Sequence, residues 1–206
     1  MQPTLAGGAA AGIDWPRTLA ARGAFALRAE HLRPARRAPQ GQALHCFVLD
    51  GSASMLRAGR LAQAKGVLAE LMKQAYRRRD RVALVHIQGG TAQLVLPPQR
   101  ASALPQDALA PLAGGGGTPL AAALALADAL LQRHAEGLRQ LWLLSDGRSR
   151  ETPPRPRAAG PFVLIDFEDL DGARVPLGRG AELAALWGAA HWPAQAFWAP
   201  QEDAAA

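Results

Sequence analysis

From Leu44 onward, short uninterrupted apolar runs alternate with stretches of helical spacing, and this alternation constrains the fold more than any other feature of the sequence. Leu44-His45-Cys46-Phe47-Val48-Leu49 ends at Asp50, Val82-Ala83-Leu84-Val85-His86-Ile87 ends near a Gly89-Gly90 turn, Leu141-Trp142-Leu143-Leu144 runs into Ser145-Asp146-Gly147, and Phe162-Val163-Leu164-Ile165 ends at Asp166. Runs of this length without strict polar alternation predict strands buried on both faces. Between them, Leu61, Ala64, Leu68, Leu71 and Ala75 recur at helical spacing, as do Leu120, Leu124, Ala127 and Leu131, with Thr118 near the N-cap of the second helix and Pro119 in its first turn. A strand over Ala92–Leu96, stopped by Pro97-Pro98, is expected to form a hairpin with the preceding one. A short helix over 101–112, a last helix over Glu182–Trp187 and a final strand over Gln195–Trp198 complete the pattern. The order β-α-β-β-α-β-β-α-β predicts an α/β, Rossmann-like open sheet, mostly parallel, with helices on both faces and one antiparallel edge strand.

The length of 206 residues suits one domain, and 49% apolar against 19% charged residues is the balance of a core-forming chain. Residues 1–14 are expected to be disordered. Residues 15–43 read as a helix (Thr18 to Glu30) and an Arg/Pro-rich strap, 44–198 as the domain, and 199–206 as a tail. No run of 18 apolar residues is present, so no membrane-spanning helix is expected. The segment MQPTLAGGAAAG lacks a charged start and a long apolar stretch, so a secretory signal is not expected and the location expected is cytoplasmic. The lone Cys46 can form no internal disulfide and reads as a small core residue, and there is no cysteine cluster for zinc. The net charge is +6, but the densest basic run, Tyr76-Arg77-Arg78-Arg79-Asp80-Arg81, reads as a solvated helix end. Few aromatics interleave with the arginines, so no nucleic-acid partner is expected. Trp187, Trp192 and Trp198 are expected to cap a sheet edge.

In open α/β sheets, ligands bind outside the C-terminal ends of the strands. Three polar clusters fall there: Asp50-Gly51-Ser52-Ala53-Ser54, Thr118 after the glycine loop Gly114–Gly117, and Ser145-Asp146-Gly147. Asp50 and Asp146 supply carboxylates, and Ser52, Ser54 and Thr118 supply hydroxyls. An all-oxygen set selects a hard divalent ion, Mg²⁺ or Mn²⁺. Two carboxylates only neutralise such an ion, so a site of this kind suits capture of an external carboxylate. Arg148, Arg150, Arg155 and Arg157, in and before the Pro/Arg loop that follows, are candidates for steering an acidic partner toward it.

Other readings of the same residues are weaker. The glycine loop lacks the Gly-Lys-Ser/Thr ending of a phosphate-binding loop. Asp50 as the nucleophile of a Mg²⁺-dependent phosphohydrolase would want an Asp-x-Asp, and Ser52 stands at the second position. No Gly-x-Ser-x-Gly elbow is present, and His45 and His86 lie within strands, where packed core histidines are expected.

The spacing Asp50-x-Ser52-x-Ser54, Thr118 in Gly-Gly-Thr-Pro, and Asp146 in Ser-Asp-Gly resembles the metal-ion-dependent adhesion site (MIDAS) of von Willebrand factor A domains, with Ala53 where a glycine is usual. Further stretches, among them Arg60–Gly66, Tyr76–Leu84, Leu96-Pro97-Pro98, Gly116–Ala121, Leu144–Arg148, Leu32-Arg33 and Asp166-Phe167-Glu168, are similar to the C-terminal domain of the magnesium-chelatase D subunit. The resemblance spans roughly residues 15–198 and implies a free-standing version of that domain, non-catalytic by itself. It implies Ser52, Ser54 and Thr118 as direct ligands of Mg²⁺, with Asp50 and Asp146 acting through water. It also implies an AAA+ ATPase partner in magnesium or cobalt chelation into a tetrapyrrole, and an acidic residue of the large chelatase subunit completing the metal shell. Two other roles are an adaptor for a MoxR-like AAA+ ATPase that activates another metalloenzyme, and adhesion at a cell surface, against which the expected lack of a secretory signal speaks.

Overall fold

A computed structural model describes residues 42–102, 109–134, 137–168 and 177–197. The element order is β1 (Leu44–Asp50), a 3₁₀ segment Ala53–Gly59, α1 (Arg60–Arg78), β2 (Arg81–Gln88), β3 (Thr91–Arg100), α2 (Leu120–Gln132), β4 (Arg139–Ser145), β5 (Phe162–Asp166), α3 (Arg179–Trp187), β6 (Ala190–Pro193) and a 3₁₀ turn Ala194–Phe197. The six strands form one sheet in the order β3-β2-β1-β4-β5-β6. All neighbours are parallel except β2 and β3, which are antiparallel. The chain winds outward from β1 to β3, returns across the sheet to β4 and winds outward again. The order therefore reverses between β1 and β4, at the middle of the sheet.

Side-chain alternation explains why the central strands read as unbroken apolar runs. Leu44, Cys46 and Val48 of β1 join one core cluster with Leu120, Ala123, Leu124, Ala127, Leu130 and Leu131 of α2 and with Leu183, Ala184 and Trp187 of α3. Phe47 and Leu49 join the opposite cluster with Leu61, Ala64, Val67, Leu68, Leu71, Met72 and Ala75 of α1. Both faces are covered, so neither set of side chains needs to be polar.

Several buried polar groups in this core are paired. His45 contacts Asp80 at 3.2 Å through Nε2, and Trp142 Nε1 donates to His45 Nδ1 at 3.4 Å. Nδ1 is thereby the accepting nitrogen, and Nε2 carries the proton toward the carboxylate. On the opposite face of the sheet, Trp187 stacks on Phe162 with ring centroids 5.2 Å apart and donates Nε1–H to the carbonyl of Pro153.

Several expectations are corrected. Pro97-Pro98 do not stop β3, which continues to Arg100. The prolines fall between the pairs Leu84–Leu96 and Val82–Gln99, where β3 carries two residues against one of β2. A bulge on an edge strand tolerates residues that cannot donate a ladder hydrogen bond. The last strand is Ala190–Pro193, and Ala194–Phe197 is a 3₁₀ turn where a strand was expected. Apolar density alone does not locate β6, because its register with β5 uses the mixed run Ala-His-Trp-Pro. Pro119 is the N-cap of α2 and the Thr118 side chain makes no capping bond; Glu151 Oε2 accepts from Ala121 N instead. Of the helix expected over 101–112, positions 103–108 lie outside the described residues, and 109–111 form a turn. The segments 1–14 and 199–206, the expected helix and strap up to residue 41, and Trp198 also lie outside the described residues.

Candidate metal centre

Asp50 is the last residue of β1 and Asp146 follows the last residue of β4, so both carboxylates stand at the point where strand order reverses. Asp50 is fully buried. Its Oδ1 accepts from Ser52 N at 2.8 Å and its Oδ2 from Ser145 Oγ at 2.6 Å. Burial pushes its carboxyl above the usual range, and the Ser145 and Ser52 hydrogen bonds pull in the other direction.

Asp146 is also fully buried. Its Oδ1 accepts from Ser54 Oγ at 3.1 Å and from Arg148 N at 3.2 Å, and its Oδ2 faces Arg60 Nη1 at 3.3 Å. Arg148 Nε lies 3.9 Å from the same Oδ2 and 3.5 Å from Glu168 Oε1. The two serine hydroxyls are 3.1 Å apart, and a chain of close contacts runs Ser52–Ser54–Asp146.

The glycine loop brings the third hydroxyl. Gly115 N donates to Gly51 O at 2.7 Å, Ala53 N to Gly116 O at 3.0 Å, and Gly89 N to Gly115 O at 2.8 Å. The loop is thus laced both to the serine loop and to the β2–β3 turn. Gly116 has φ +82°, and a Cβ there would lie 2.5 Å from Gly90 N, so the packing of backbone on backbone requires glycine. The loop delivers Thr118 into an open cleft of about 570 Å³ whose lining includes Ser52, Ser54, Thr118, Arg148, Arg150 and Glu151.

The three hydroxyl residues expected from the sequence therefore line one cleft, and the two aspartates are buried next to it and tied to the serines. The donor set fits a hard divalent ion. Adjacent donors on an octahedral Mg²⁺ with bonds near 2.0–2.1 Å lie about 2.9 Å apart, close to the separation of the two serine oxygens. Among the described residues, no group of three or more His, Cys, Asp and Glu side chains is placed to hold a metal ion.

Four residues have roles at the site that the sequence did not assign to them. Ser145 holds Asp50, Arg60 holds Asp146, Glu168 pairs with Arg148, and His86 supports the loops from below. His86 Nδ1 is 3.2 Å from Leu49 O and Nε2 is 2.7 Å from Ala113 O, so the ring bridges β1 and the start of the glycine loop. A Cβ on Gly51 would meet His86 Cε1 at 2.4 Å. A signal for Arg60 was present in the sequence, an arginine opening an amphipathic helix with no acid in its first turn. Of the candidate steering arginines, Arg148 and Arg150 line the cleft, whereas Arg155 turns away and donates to Gly160 O at 2.7 Å.

The 60 kDa subunit of the magnesium chelatase of Cereibacter sphaeroides is 48% identical over 104 residues, covering 50% of this chain and 18% of that protein. The uncharacterized protein Rv2850c of Mycobacterium tuberculosis is 34% identical over 192 residues, covering 84% of this chain and 30% of that one. The chain thus spans less than a third of the length of these curated relatives. Among solved structures, BatB of Bacteroides thetaiotaomicron superposes with a TM-score of 0.57 at 17% identity, over 74% of this chain and 90% of that one. The SpRpn10 VWA domain gives a TM-score of 0.54 at 13% identity, over 74% and 86%. A profile of the von Willebrand factor type A domain matches residues 46–148, half of the sequence and the part that contains all five candidate ligands, and the chain belongs to that family.

Proposed function

We propose that this chain is a non-catalytic, metal-dependent protein-binding subunit that works with an AAA+ ATPase in the insertion of magnesium or cobalt into a tetrapyrrole. The observation that carries the metal-dependent binding is the shared cleft of Ser52, Ser54 and Thr118, with Asp50 and Asp146 buried next to it. The likeness to magnesium-chelatase subunits over this region supports the chelatase setting.

In this reading Ser52, Ser54 and Thr118 hold a resident Mg²⁺ or Mn²⁺ directly, and Asp50 and Asp146 act through water. When bound, the ion supplies a positive centre for one carboxylate of the large chelatase subunit. The chain's own residues do the rest. Ser145 and Ser52 N fix the Asp50 carboxylate, and Arg60, Ser54 and Arg148 N fix that of Asp146. Arg148 and Arg150 put positive charge on the rim, which favours approach of an acidic surface. Motion of the ATPase would then reach the subunit that performs insertion through the contact this carboxylate would make with the chain.

A phosphohydrolase is disfavoured by the placement of Asp50. It is fully buried, held by Ser52 N and Ser145 Oγ, and does not line the cleft, so it is not presented to a substrate as a nucleophile.

The test is reconstitution of the full chain with the purified ATPase and large subunits of a magnesium chelatase, using Mn²⁺ binding, pull-down and metal insertion as readouts. Asp50→Ala and Thr118→Ala are expected to lose all three together. Wild-type association and insertion by either variant would defeat the bridge. Association with a MoxR-type ATPase in place of the chelatase subunits would favour the adaptor role for another metalloenzyme.

A further inference from the structure

The end of the sheet away from the metal cleft collects arginines. In the register of the strands, Leu44 at the start of β1 lies between Arg81 of β2 and Arg139 of β4, and Arg81 lies opposite Arg100, the last residue of β3. Three arginines and one leucine thus share a line across four strands spaced about 4.8 Å apart. α1 ends at the same place. Arg77 is in its last turn, Arg79 is its C-cap, and Arg81 N donates to the carbonyl of Ala43, just before β1. Arg155, a candidate for steering toward the metal rim on sequence grounds, belongs here instead: its Nη2 donates to Gly160 O, and Gly160 N donates to Arg139 O. Measured along the strand Leu44–Asp50, this end is about 20 Å from Asp50.

Ordinary structural roles explain only part of this cluster. Cations suit the C-terminal end of a helix, which accounts for Arg77 and Arg79. It does not account for Arg81 and Arg100, since like charges directly opposite each other in a sheet repel. Arg79 also takes φ 60°, a left-handed conformation that a Cβ disfavours. The acid within the run, Asp80, faces inward. It is 7% exposed, its Oδ1 accepts from Ala43 N at 3.1 Å, and its Oδ2 lies 3.2 Å from His45 Nε2. Among the described residues, no ion pair involves Arg77, Arg79, Arg81, Arg100, Arg139 or Arg155. Residues 31–41, which lead into β1, contain Arg33, Arg36 and Arg37 and no Asp or Glu, so they add to the positive charge of the chain here.

We propose that this arginine-rich end is a docking surface for a segment of a partner protein dense in Asp and Glu. The inference goes beyond the function proposed above and stands without the metal centre. Exposed Arg77, Arg79, Arg100 and Arg155 and half-buried Arg81 and Arg139 supply guanidinium groups, which pair with carboxylates through two parallel hydrogen bonds. Arginine is enriched and lysine depleted in protein interfaces, and all six of these cations are arginines. A protein partner is favoured over nucleic acid because a single-stranded chain wants several aromatic faces to stack on, and among the described residues Tyr76 is the one large aromatic exposed. An acidic segment seated here leaves the cleft at the other end of the strands open, so one chain can hold two partners at once.

The experiment measures binding of a fluorescent oligo-glutamate peptide to the full chain by anisotropy, in EDTA so that no ion in the cleft contributes. Oligothymidylate of equal length and phosphatidylserine vesicles serve as the competing anions. Binding of the peptide is expected to weaken as salt rises from about 20 to about 150 mM, where the screening length falls to about 8 Å. Arg77→Glu combined with Arg100→Glu is expected to weaken it about tenfold or more. Arg57→Glu, an exposed reversal beside the serine loop at the other end, is expected to change it less than about twofold. That control separates a local surface from the general attraction of a chain with net charge +6. Equal losses in the two proteins, or no binding of the peptide at all, overturn the proposal. Tighter binding of oligothymidylate or of the vesicles than of the peptide overturns the choice of a protein partner. If the reversed variant does not fold by circular dichroism, hydrogen exchange of the wild-type chain decides. Peptide-induced protection over residues 76–81 and 98–101 supports the surface, and protection confined to residues 52–57 overturns it.

Discussion

Ser145 Oγ donates a 2.6 Å hydrogen bond to Asp50 Oδ2 and accepts one of 3.1 Å from Gly147 N. A single hydroxyl thus ties the end of β1 to the end of β4 and to the turn that carries Asp146. β1 and β4 are neighbours in the sheet, but their pairing ends at Leu49 and Leu144, so a side chain ties the last residues of the two strands where the ladder no longer does.

Ser145→Ala is expected to destabilise the chain by about 1.5–3 kcal/mol, the range for a hydrogen bond to a charged group. The cost arises because Asp50 is fully buried and would keep only the Ser52 amide among these two partners. Urea unfolding followed by circular dichroism measures it. A loss below about 0.5 kcal/mol, at the bottom of the range for ordinary hydrogen bonds, would mean that water replaces the hydroxyl.

The glycine loop gives a paired comparison. Gly116→Ala places a Cβ 2.5 Å from Gly90 N and 2.6 Å from Gly89 C at a φ of +82°, and neither backbone atom can rotate away. Gly117→Ala meets nothing within 4 Å. The first is expected to cost about 2 kcal/mol or more through crowding and strain. The second is expected to lie within about 1 kcal/mol of wild type. Equal effects in urea unfolding would show that the loop is not seated on the β2–β3 turn.

Much of this architecture was legible in the sequence because burial on both faces leaves an unambiguous signature. The runs Cys46–Leu49 of β1 and Leu141–Leu144 of β4 are unbroken apolar stretches because both faces of the sheet are covered. The five oxygen-bearing residues could be picked out because three different strand ends or loops each contribute a small polar cluster to an otherwise apolar pattern. What the sequence concealed was pairing. Nothing in the run Leu96-Pro97-Pro98-Gln99 shows that both prolines sit in a bulge on an edge strand, since that depends on the partner's register. Ala190–Pro193 became a strand because β5 offers it an edge, not through its own propensity. Ser145 was read only as part of a polar cluster, His86 as a core histidine and Arg60 without a role of its own, because their contacts are with residues 95, 37 and 86 positions distant in the sequence.

Asp166, at the end of β5, predicts a pH dependence. Burial raises its carboxyl above the ordinary value, and the His191 ring 2.9 Å away, with the Glu168 amide, opposes that rise without cancelling it. The folded chain therefore binds the Asp166 proton more tightly than the unfolded chain does. This contribution to stability is full below the unfolded value near 3.8 and is lost as pH rises through the higher folded value. Asp166→Asn, which cannot ionise, is expected to become more stable relative to wild type as pH rises from 3 toward 6, about one unit to either side of the carboxylate range. Urea titrations of both proteins across that interval read the difference. A difference that shrinks with pH would show that the attraction to His191 outweighs the loss of solvent.

Cys46 reports on the same sheet from inside. It is fully buried at the middle of β1, and burial pushes its thiol up to about 12. The thiolate is the species that reacts with iodoacetamide, so native labelling near pH 8 has to wait for β1 to open. One thiol per chain is expected to label rapidly in urea and only at the opening rate in native buffer. If an ion holds the loops that leave β1 and β4, it binds the closed state, and Mn²⁺ should slow native labelling by the factor 1 + [Mn²⁺]/Kd when opening is in rapid equilibrium. The same protection should vanish in Thr118→Ala. Fast native labelling that ignores both urea and Mn²⁺ would mean that β1 opens locally, without disturbing the switch point at which its last residue, Asp50, is held.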